Sequence, residues 1–397
     1  MKPQTSISIL LVSTIMVGIF ILSGCKHSVK VQDFVSLAYV STGVFEDNDP
    51  SRIDIADVLN KSRWNGITDV VLIGNLFMAG QDGTMITSWN QENWPAPFEG
   101  QYYDGTPIDE KKERAKLLSE RSLRFLSDYF HKKQINIWIS VTAYGWLTGG
   151  SLGEVAKDES KIDTFMNDVC TLAYEMGAVG VDFDWEFPMN EEESAGYRKM
   201  FSICKTRGLK VSVCAIRPTV DPSRIEDTSF NDHYGKYMKW ESIIDDALVD
   251  NINVMNYVAL DDQNECMSLE VKKDLMEEWE NWYPEEFTSN KKVNMMLGIG
   301  YYGYLIPGKG DSSDSRELGM RDLYEMYGKE AYDTPTVAGK YATWSPSDVR
   351  QMVRMAYERG WSGVFTWLVT HDFDKTHCDS HSLQYALNQE MQNIWNE

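Results

Sequence analysis

The chain has 397 residues and carries 38 Lys and Arg against 60 Asp and Glu, which gives a formal net charge of −22 at pH 7. Apolar residues make up 43% and charged residues 25% of the chain, as in an ordinary globular protein, which excludes collagen-like, low-complexity and wholly disordered sequences. The negative charge argues against DNA, RNA and other polyphosphates as partners, because Lys and Arg bind phosphate groups. Neutral and cationic molecules therefore remain as candidate ligands.

The first 25 residues predict an export signal. Lys2 precedes an apolar run over residues 9–22, which at about 14 residues is too short to span a bilayer permanently. The run Leu22–Cys25 (Leu-Ser-Gly-Cys) resembles the lipobox of bacterial lipoproteins, and an ordinary signal peptide with a chance Cys is the alternative. We therefore expect residues 1–24 to be a signal peptide, Cys25 to be lipidated, and the protein to be anchored in the bacterial cell envelope, on a membrane face that the sequence leaves open.

Eight short β-branched or apolar runs alternate with longer helical patterns. The predicted strands are Phe34–Val40, Asp69–Leu76, Asn136–Val141, Val179–Trp185, Lys210–Ile216, Asn251–Tyr257, Val293–Gly298 and Gly363–Leu368. The predicted helices are Ile53–Arg63, Glu110–Lys133, Lys161–Met176, Glu191–Thr206, Trp240–Leu248, Leu269–Trp282, Leu318–Tyr327 and Ser345–Glu358, followed by a terminal helix at Ser382–Ile394. The last helix of the alternating series begins with Ser345-Pro346, a capping residue followed by proline at the first helical position.

This alternation predicts an α/β fold with a parallel sheet, and eight units can close into a (β/α)8 TIM barrel. An open doubly wound sheet is the second choice. That fold typically has a Gly-rich phosphate-binding turn after its first strand, and residues 39–44 (Tyr-Val-Ser-Thr-Gly-Val) do not match one. Because no linker or repeat divides the chain, we expect a single domain over residues 25–397.

The connection after the second strand, residues 77–109, is unusually long. It carries the aromatic residues Trp89, Trp94, Phe98, Tyr102 and Tyr103. Loops of this length in a compact domain are usually functional, and barrel chemistry lies at the C-terminal ends of the strands. This segment is either a solvated cover for the barrel mouth or a sugar-contacting surface.

The most informative segment is the fourth predicted strand, which reads Gly-Val-Asp-Phe-Asp-Trp-Glu-Phe-Pro over residues 180–188. Side chains alternate along a strand, so Asp182, Asp184 and Glu186 share one face while Phe183 and Trp185 share the other. In a barrel the aromatic pair packs outward against helices and the acids point inward. Neighbouring acids are about 6.6 Å apart along the strand, and their repulsion raises at least one pKa.

Three interpretations of these acids are open on the residues alone. The acids are structural and paired with Lys or Arg, or they bind Mg²⁺ or Ca²⁺, which prefer oxygen ligands, or they transfer protons. We favour proton transfer, because a fold tolerates three close carboxylates mainly where they are used.

Here the chain resembles glycoside hydrolase family 18, the chitinase-like (β/α)8 barrels. Residues 182–188 are similar to the family's Asp-x-Asp-x-Glu signature. Met255-Asn256-Tyr257 in the sixth strand is similar to its Met-x-Tyr-Asp motif, and residues 298–303 in the seventh are similar to its Tyr-Gly segment. In the eighth strand Trp367 matches the Trp that closes these barrels. The four motifs occur in order, and the resemblance covers essentially the whole chain after the signal segment.

The resemblance implies a retaining hydrolase that cleaves β-1,4-linked N-acetylglucosamine by substrate-assisted catalysis. Glu186 would be the general acid, Asp184 would orient the substrate's acetamide group, and Asp182 would share a proton with Asp184. Tyr257 would hydrogen-bond the acetamide oxygen and Trp367 would lie beneath the distorted sugar. The further residues expected to bind substrate are Tyr39, Tyr144, Trp146, Met255 and Tyr302.

The sequence departs from the family pattern in several places. Val179 stands where the family usually has an Asp, and Val258 replaces the Asp that grips the sugar, with Asp261 and Asp262 as possible substitutes. Residues 140–143 (Ser-Val-Thr-Ala) replace the Ser-x-Gly-Gly of the third strand. The short stretch between Tyr302 and Trp367 predicts that the large α+β insertion of many family members is absent and that the cleft is shallow and open.

Chitin and its oligomers are the first choice of substrate, because Trp-Glu-Phe-Pro is closer to the chitinase form than to that of N-glycan endoglycosidases. The lipid anchor and Val258 favour the alternatives, an N-glycan or peptidoglycan substrate. A sugar-binding protein that has lost hydrolysis is a candidate from another class, although Glu186 is present. We expect no cofactor and no metal, since the run His377–His381 (His-Cys-Asp-Ser-His) lacks the spacing of zinc ligands, and we expect a monomer.

Overall fold

The structure, a computed structural model, describes residues 34–41, 64–73, 76–79, 83, 85–87, 123–144, 149–218, 237–255, 257, 269–306, 308–311, 314–315, 317–372 and 382–397. Its centre is a closed barrel of eight parallel strands. In chain order these are β1 (Val35–Ser41), β2 (Asp69–Ile73), β5 (Asn136–Tyr144), β6 (Gly180–Glu186), β7 (Lys210–Ala215), β8 (Asn251–Val254), β9 (Asn294–Gly300) and β14 (Gly363–Trp367). Neighbours around the barrel follow the order β1-β14-β9-β8-β7-β6-β5-β2. The prediction of a (β/α)8 barrel is confirmed, and all eight predicted strands are barrel strands.

Helices surround the barrel and cover the outward-facing apolar residues of its strands. Their bounds are α1 (residues 123–132), α2 (Gly149–Ala156), α3 (Glu159–Glu175), α4 (Glu191–Thr206), α5 (Trp240–Asp245), α6 (Leu269–Trp282), α7 (Met320–Tyr327), α8 (Glu330–Asp333), α9 (Pro346–Glu358) and α10 (Leu383–Trp395). Short 3-10 turns lie at Pro284–Phe287 and Val369–Asp372. The predicted helix Ile53–Arg63 and the first part of Glu110–Lys133 lie outside the described residues.

The predicted start of α9 is confirmed in detail. The Ser345 hydroxyl accepts a hydrogen bond from the backbone N–H of Asp348, and the Asp348 carboxylate accepts one from the backbone N–H of Ser345, while Pro346 takes the first helical position. This reciprocal capping satisfies two backbone donors that the first turn would otherwise leave free. Helix α4 is capped in a related way by Asn190, whose side chain accepts from the backbone N–H of Glu193.

Between β9 and α9 the chain forms a small antiparallel sheet that the sequence analysis did not predict. Its strands are β10 (Tyr302–Leu305), β11 (Glu317–Gly319), β12 (Thr336–Val337) and β13 (Tyr341–Ala342), in the order β11-β10-β13-β12, with α7 and α8 between β11 and β12. The backbone N–H of Tyr301 donates to the carbonyl of Trp367 at 2.7 Å, which fixes the sheet beside the C-terminal end of β14. The insertion is a small one, and strands of two to four residues are too short to show a period of two.

Two other elements differ from the predictions. The second predicted strand ends at Ile73, and the chain continues into a hairpin of β3 (Leu76–Ala79) and β4 (Met85–Thr87). Helix α2 was not predicted, because its sequence Gly-Gly-Ser-Leu-Gly-Glu-Val-Ala contains three glycines, which are poor helix formers. Of the helices in the described ranges, none combines the length and the apolar character needed to cross a membrane.

Candidate active site

The three acids of β6 line the inside of the barrel, as the alternation predicts. Asp182 is 0% and Asp184 2% exposed, and Glu186 at the end of the strand is half-buried. On the opposite face, the ring of Phe183 packs edge-on against Phe201 of α4, and the ring of Trp185 packs edge-on against Tyr197 of the same helix. The strand therefore presents a ladder of carboxyl groups, Asp182–Asp184–Glu186, that ends at the C-terminal mouth of the barrel.

Asp182, the innermost acid, is held by donors from three other strands. Its Oδ1 accepts a hydrogen bond from the Tyr39 hydroxyl at 3.0 Å and lies 3.3 Å from Asn253 Nδ2, and its Oδ2 accepts from the Ser140 hydroxyl at 3.0 Å. Asn253 Nδ2 also donates to the Ser212 hydroxyl at 2.7 Å and to the Tyr39 hydroxyl at 3.0 Å. This set of donors fixes Asp182 and satisfies its charge.

The ladder raises the pKa of each of its acids. Burial, and then the charge of Asp184, raises the pKa of Asp182 to about 7. Burial, and then the charge of Glu186, raises the pKa of Asp184 to about 8. Burial, and then the charge of Glu317 on the small sheet, raises the pKa of Glu186 to about 7. Protons are therefore held and shared in this ladder near neutral pH.

The alternative of a structural ion pair is not what the structure shows. No Lys or Arg within the described ranges contributes to the pKa of Asp182, Asp184 or Glu186, whose neighbours are acids and neutral donors. In the same part of the chain, no three His, Cys, Asp or Glu side chains form a group that could hold a metal ion. The geometry favours proton transfer among the three interpretations.

Aromatic side chains from the neighbouring strands surround the end of the ladder. The ring centroid of Tyr257, just after β8, is 5.9 Å from those of both Tyr302 and Phe365, and the hydroxyls of Tyr302 and Tyr304 are 2.9 Å apart. The ring of Trp367 at the end of β14 is half-buried and lies 5.3 Å from that of Tyr39. The barrel mouth therefore combines the end of the carboxylate ladder with aromatic faces, a combination suited to sugar rings.

Glycine makes room for the Tyr257 ring. A Cβ atom on Gly298 would lie 2.9 Å from Tyr257 Cδ1 and 2.6 Å from the carbonyl oxygen of Val254, and a Cβ on Gly300 would lie 3.0 Å from the Cβ of Tyr257. The Gly-Ile-Gly run of β9 is therefore required by the close approach of this tyrosine.

A model of glycosyl hydrolases family 18 matches residues 45–372. The chain belongs to glycosyl hydrolase family 18.

Individual relatives of this family 18 protein are distant in sequence. The sporulation-specific chitinase 2 of Saccharomyces cerevisiae is 22% identical over 241 residues, which are 56% of this chain and 45% of that protein. The chain thus spans less than half the length of this curated relative.

Two solved structures are similar over most of their length. A chitinase from Bacteroides thetaiotaomicron has a TM-score of 0.61 and 14% identity, with 90% of this chain and 96% of that one covered. A variant of the class V chitinase from Nicotiana tobaccum, in complex with NAG4, has a TM-score of 0.60 and 16% identity, with 92% and 99% covered. At such identities the likeness shows the fold.

The structure brings some of the family 18 site residues together and leaves others undescribed. Met255 and Tyr302 are buried beside Tyr257 at the mouth. The side chain of Tyr144 lies outside the described residues, although its backbone pairs with that of Glu186. Trp146, Val258, Asp261, Asp262, His377–His381, the signal segment with Cys25, and nearly all of residues 77–109 also lie outside them.

The prediction that Tyr39 contacts sugar requires a correction. Tyr39 is fully buried beneath the ladder, and its hydroxyl is used by Asp182, Asn253 and Cys214. It therefore supports the acids from below.

The sequence analysis missed Asn253, Ser212 and Cys214 as partners of the ladder. The signal that was available is the alternation of β7 and β8, which places Ser212 and Cys214 on one face.

Replacing Asp184 with Asn is expected to stabilise the folded protein at high pH. Burial raises the pKa of Asp184 to about 8 in the folded state, so the wild type loses stability as the pH rises from the ordinary pKa of an aspartate to about 8. Relative to wild type, the variant should gain free energy of unfolding at pH 8.5, at about 1.4 kcal/mol for each unit by which the pKa is raised, and little at pH 4. Denaturant melts at both pH values measure the difference, and an equal gain at both would contradict it.

Proposed function

We propose that the protein hydrolyses β-1,4-linked N-acetylglucosamine in chitin or chitooligosaccharides, with retention of configuration and with the substrate's 2-acetamido group as nucleophile. The observation that carries the proposal is the ladder, in which Asp182 and Asp184 are enclosed while Glu186 extends toward the barrel mouth. The substrate class is supported by family membership and by the two solved structures described above, which are chitinases and include one in complex with NAG4.

In the first step Glu186 acts as the general acid. Its raised pKa of about 7 keeps a proton on the carboxyl group at neutral pH, as a general acid requires. The proton goes to the glycosidic oxygen, and the bond between that oxygen and the anomeric carbon breaks. The leaving sugar departs as an alcohol, and Glu186 is left as a carboxylate.

In the same step the acetamide oxygen attacks the anomeric carbon from the opposite face and forms a cyclic oxazolinium ion. The proton that Asp184 shares with Asp182 moves to Asp182, and the Asp184 carboxylate, next to Glu186 on the ladder, accepts a hydrogen bond from the acetamide N–H and stabilises the positive charge. Water then attacks the anomeric carbon while the Glu186 carboxylate takes its proton. The oxazolinium ring opens, the acetamide is restored, and two inversions leave the original configuration.

The aromatic residues of the mouth position the sugar. The Tyr257 hydroxyl donates to the acetamide oxygen, and Trp367 provides the face on which the reacting sugar lies. Tyr302 packs against Tyr257 and lies at the start of the small sheet, so it contacts the adjoining part of the oligosaccharide. No cofactor takes part in this scheme.

Product analysis with two substrates tests the proposal. The full chain in mild detergent is incubated with chitopentaose and with a biantennary N-glycopeptide, and the products are identified by mass. We expect shorter chitooligosaccharides and an intact glycopeptide. Cleavage of the glycopeptide alone would assign an N-glycan endoglycosidase instead. Binding of chitopentaose by calorimetry with no cleavage of either substrate would overturn hydrolysis in favour of a sugar-binding protein.

We also propose that the protein is a monomer anchored in the bacterial envelope through lipid on Cys25. The support is the Leu-Ser-Gly-Cys run that ends the apolar segment. Cells expressing the full chain and fed an alkyne-tagged fatty acid should label the wild type and not the Cys25→Ser variant, which should leave the membrane fraction. Equal labelling of both, or labelling of neither, would contradict the anchor.

A further inference from the structure

Cys214 lies at the point where Tyr39 meets the carboxylate ladder. It is the second inward residue of β7 and is 3% exposed. Its Sγ is 3.3 Å from the Tyr39 hydroxyl oxygen. The register of β6 and β7, in which Asp182 pairs with Ser212 and Phe183 with Val213, makes Cys214 the neighbour of Asp184 on the inner face of the barrel. Cys214 is thus adjacent both to Tyr39 and to the carboxylate ladder.

The number of hydrogen atoms on Tyr39, Asn253 and Cys214 determines which acceptor the Cys214 thiol proton can reach. Tyr39 has one hydroxyl proton, which it donates to Asp182 when that acid is ionised, and its oxygen already accepts from Asn253 Nδ2. The thiol proton is therefore directed to the second lone pair of the Tyr39 oxygen or to the carboxyl group of Asp184. Cys214 can join the two acids through Tyr39.

Asp184 differs from Asp182 in how its oxygens are satisfied. Asp182 accepts from Tyr39 and Ser140, and its Oδ1 lies 3.3 Å from Asn253 Nδ2. Asp184 is almost completely buried, yet its Oδ1 has no hydrogen-bond partner among the described residues. This unsatisfied oxygen lies in the middle of the ladder, below Glu186, and a substrate N–H can satisfy it. Cys214 is the neighbour of Asp184 on β7 and lies where it can orient the carboxyl group.

We propose that Cys214 is a positioning residue for the reaction, whose thiol holds the Asp184 carboxyl group and completes, with Tyr39, a hydrogen-bonded bridge between Asp184 and Asp182. The inference rests on the proposed function, in which Asp184 orients the acetamide. When Asp184 is ionised and Asp182 holds the proton that they share, the Asp182 O–H donates to Tyr39, the Tyr39 hydroxyl donates to Sγ and the thiol donates to Asp184. When Asp184 is protonated, its O–H donates to Sγ and the thiol donates to Tyr39. The bridge reverses direction with protonation while the heavy atoms stay in place.

Other titratable groups face Asp184 from every side of the barrel. They are Asp182 and Glu186 on its own strand, Tyr39 on β1, Cys214 on β7, Tyr257 after β8 and Tyr197 on α4, with Glu317 of the small sheet acting on Glu186. The tyrosines remain neutral, because burial raises the pKa of each well above its ordinary value. A change at Cys214 therefore alters the titration of the acids as a group, and the pH profile reports it.

The pH dependence of kcat/KM on chitopentaose tests the bridge, using the full chain in detergent as wild type, Cys214→Ala and Cys214→Ser. Loss of the thiol donor disfavours the ionised form of Asp184. The acidic limb of the kcat/KM profile of the Cys214→Ala variant should therefore move to higher pH by about half a unit, which lowers kcat/KM on the acidic side about threefold. Cys214→Ser keeps a donor and should restore the wild-type limb. Cys204→Ala is the matched control, because Cys204 is an equally buried thiol on α4. It should lower stability and leave the limb in place.

The infrared S–H stretching band reports the contact independently of activity. The Cys214 band is obtained by subtracting the infrared spectrum of Cys214→Ala from that of the wild type. When Asp184 is replaced by Ala, this band should move to higher frequency, because the thiol then makes a weaker hydrogen bond. An unmoved band, or superimposable pH profiles of wild type and Cys214→Ala, would overturn the inference. Should the wild type cleave no substrate, the proposed function fails, and the band still decides whether Cys214 holds Asp184.

Discussion

Replacing Glu186 with Gln is expected to lower kcat on chitopentaose by about 10²–10⁴-fold, the range that a positioned general acid contributes. Gln keeps the shape of the side chain and removes the proton that the leaving oxygen needs. The substitution also removes one carboxyl group from a ladder of three, so the melting temperature should stay the same or rise. Initial rates by product mass, together with thermal melts, measure both effects.

A matched control for this variant lies on the next helix. Glu192 is an exposed residue in the first turn of α4, and Glu192→Gln removes the same charge a few residues from the site. It should leave kcat within about twofold of wild type, because screening by solvent weakens its interaction with the ladder. If Glu186→Gln retained more than a tenth of the wild-type rate, Glu186 would not be the acid.

Replacing Asp184 with Asn is expected to lower kcat by about 10²–10³-fold with a smaller change in KM. A group that stabilises charge developing in the transition state contributes on this scale. Asn preserves the shape of the side chain and loses the negative charge beside the oxazolinium ion, so the loss falls on the chemical step more than on binding. Initial rates over a range of chitopentaose concentrations separate the two parameters.

Asp163→Asn provides the comparison for this variant. Its side chain is 64% exposed on α3, at the edge of an ion pair with Lys199, and we expect kinetics equal to those of the wild type. An unchanged kcat with a raised KM in Asp184→Asn would assign Asp184 to binding alone. That outcome would contradict its role beside the oxazolinium ion.

The barrel and its ladder were predictable because the signals are local. Each barrel strand is a short apolar run between helical patterns, and the alternation of β6 alone assigns Asp182 to the inside and Phe183 to the outside. The start of α9 was equally local, since Ser345 and Pro346 are adjacent in the chain. Predictions that depend on a single short segment, such as the alternation of β6 and the start of α9, therefore agree with the structure.

The support beneath the ladder was not predictable, because its contacts join distant parts of the chain. Tyr39 is 143 residues from Asp182, 175 from Cys214 and 214 from Asn253. Which residues meet across the barrel depends on the register of all eight strands. For this reason the sequence analysis predicted that Tyr39, which is buried, contacts the sugar. The small sheet was missed for a different reason, since its strands are two to four residues long.

The configuration of the first product tests the central claim most directly. Proton NMR of chitopentaose, recorded from the start of the reaction with the full chain, follows the anomeric signals before they equilibrate in water. The substrate-assisted mechanism at Asp184 and Glu186 predicts that the β-anomer appears first and that an analogue with a 2-hydroxyl in place of the 2-acetamido group is not cleaved. A first product with the α-configuration, or cleavage of the analogue at a comparable rate, would contradict it.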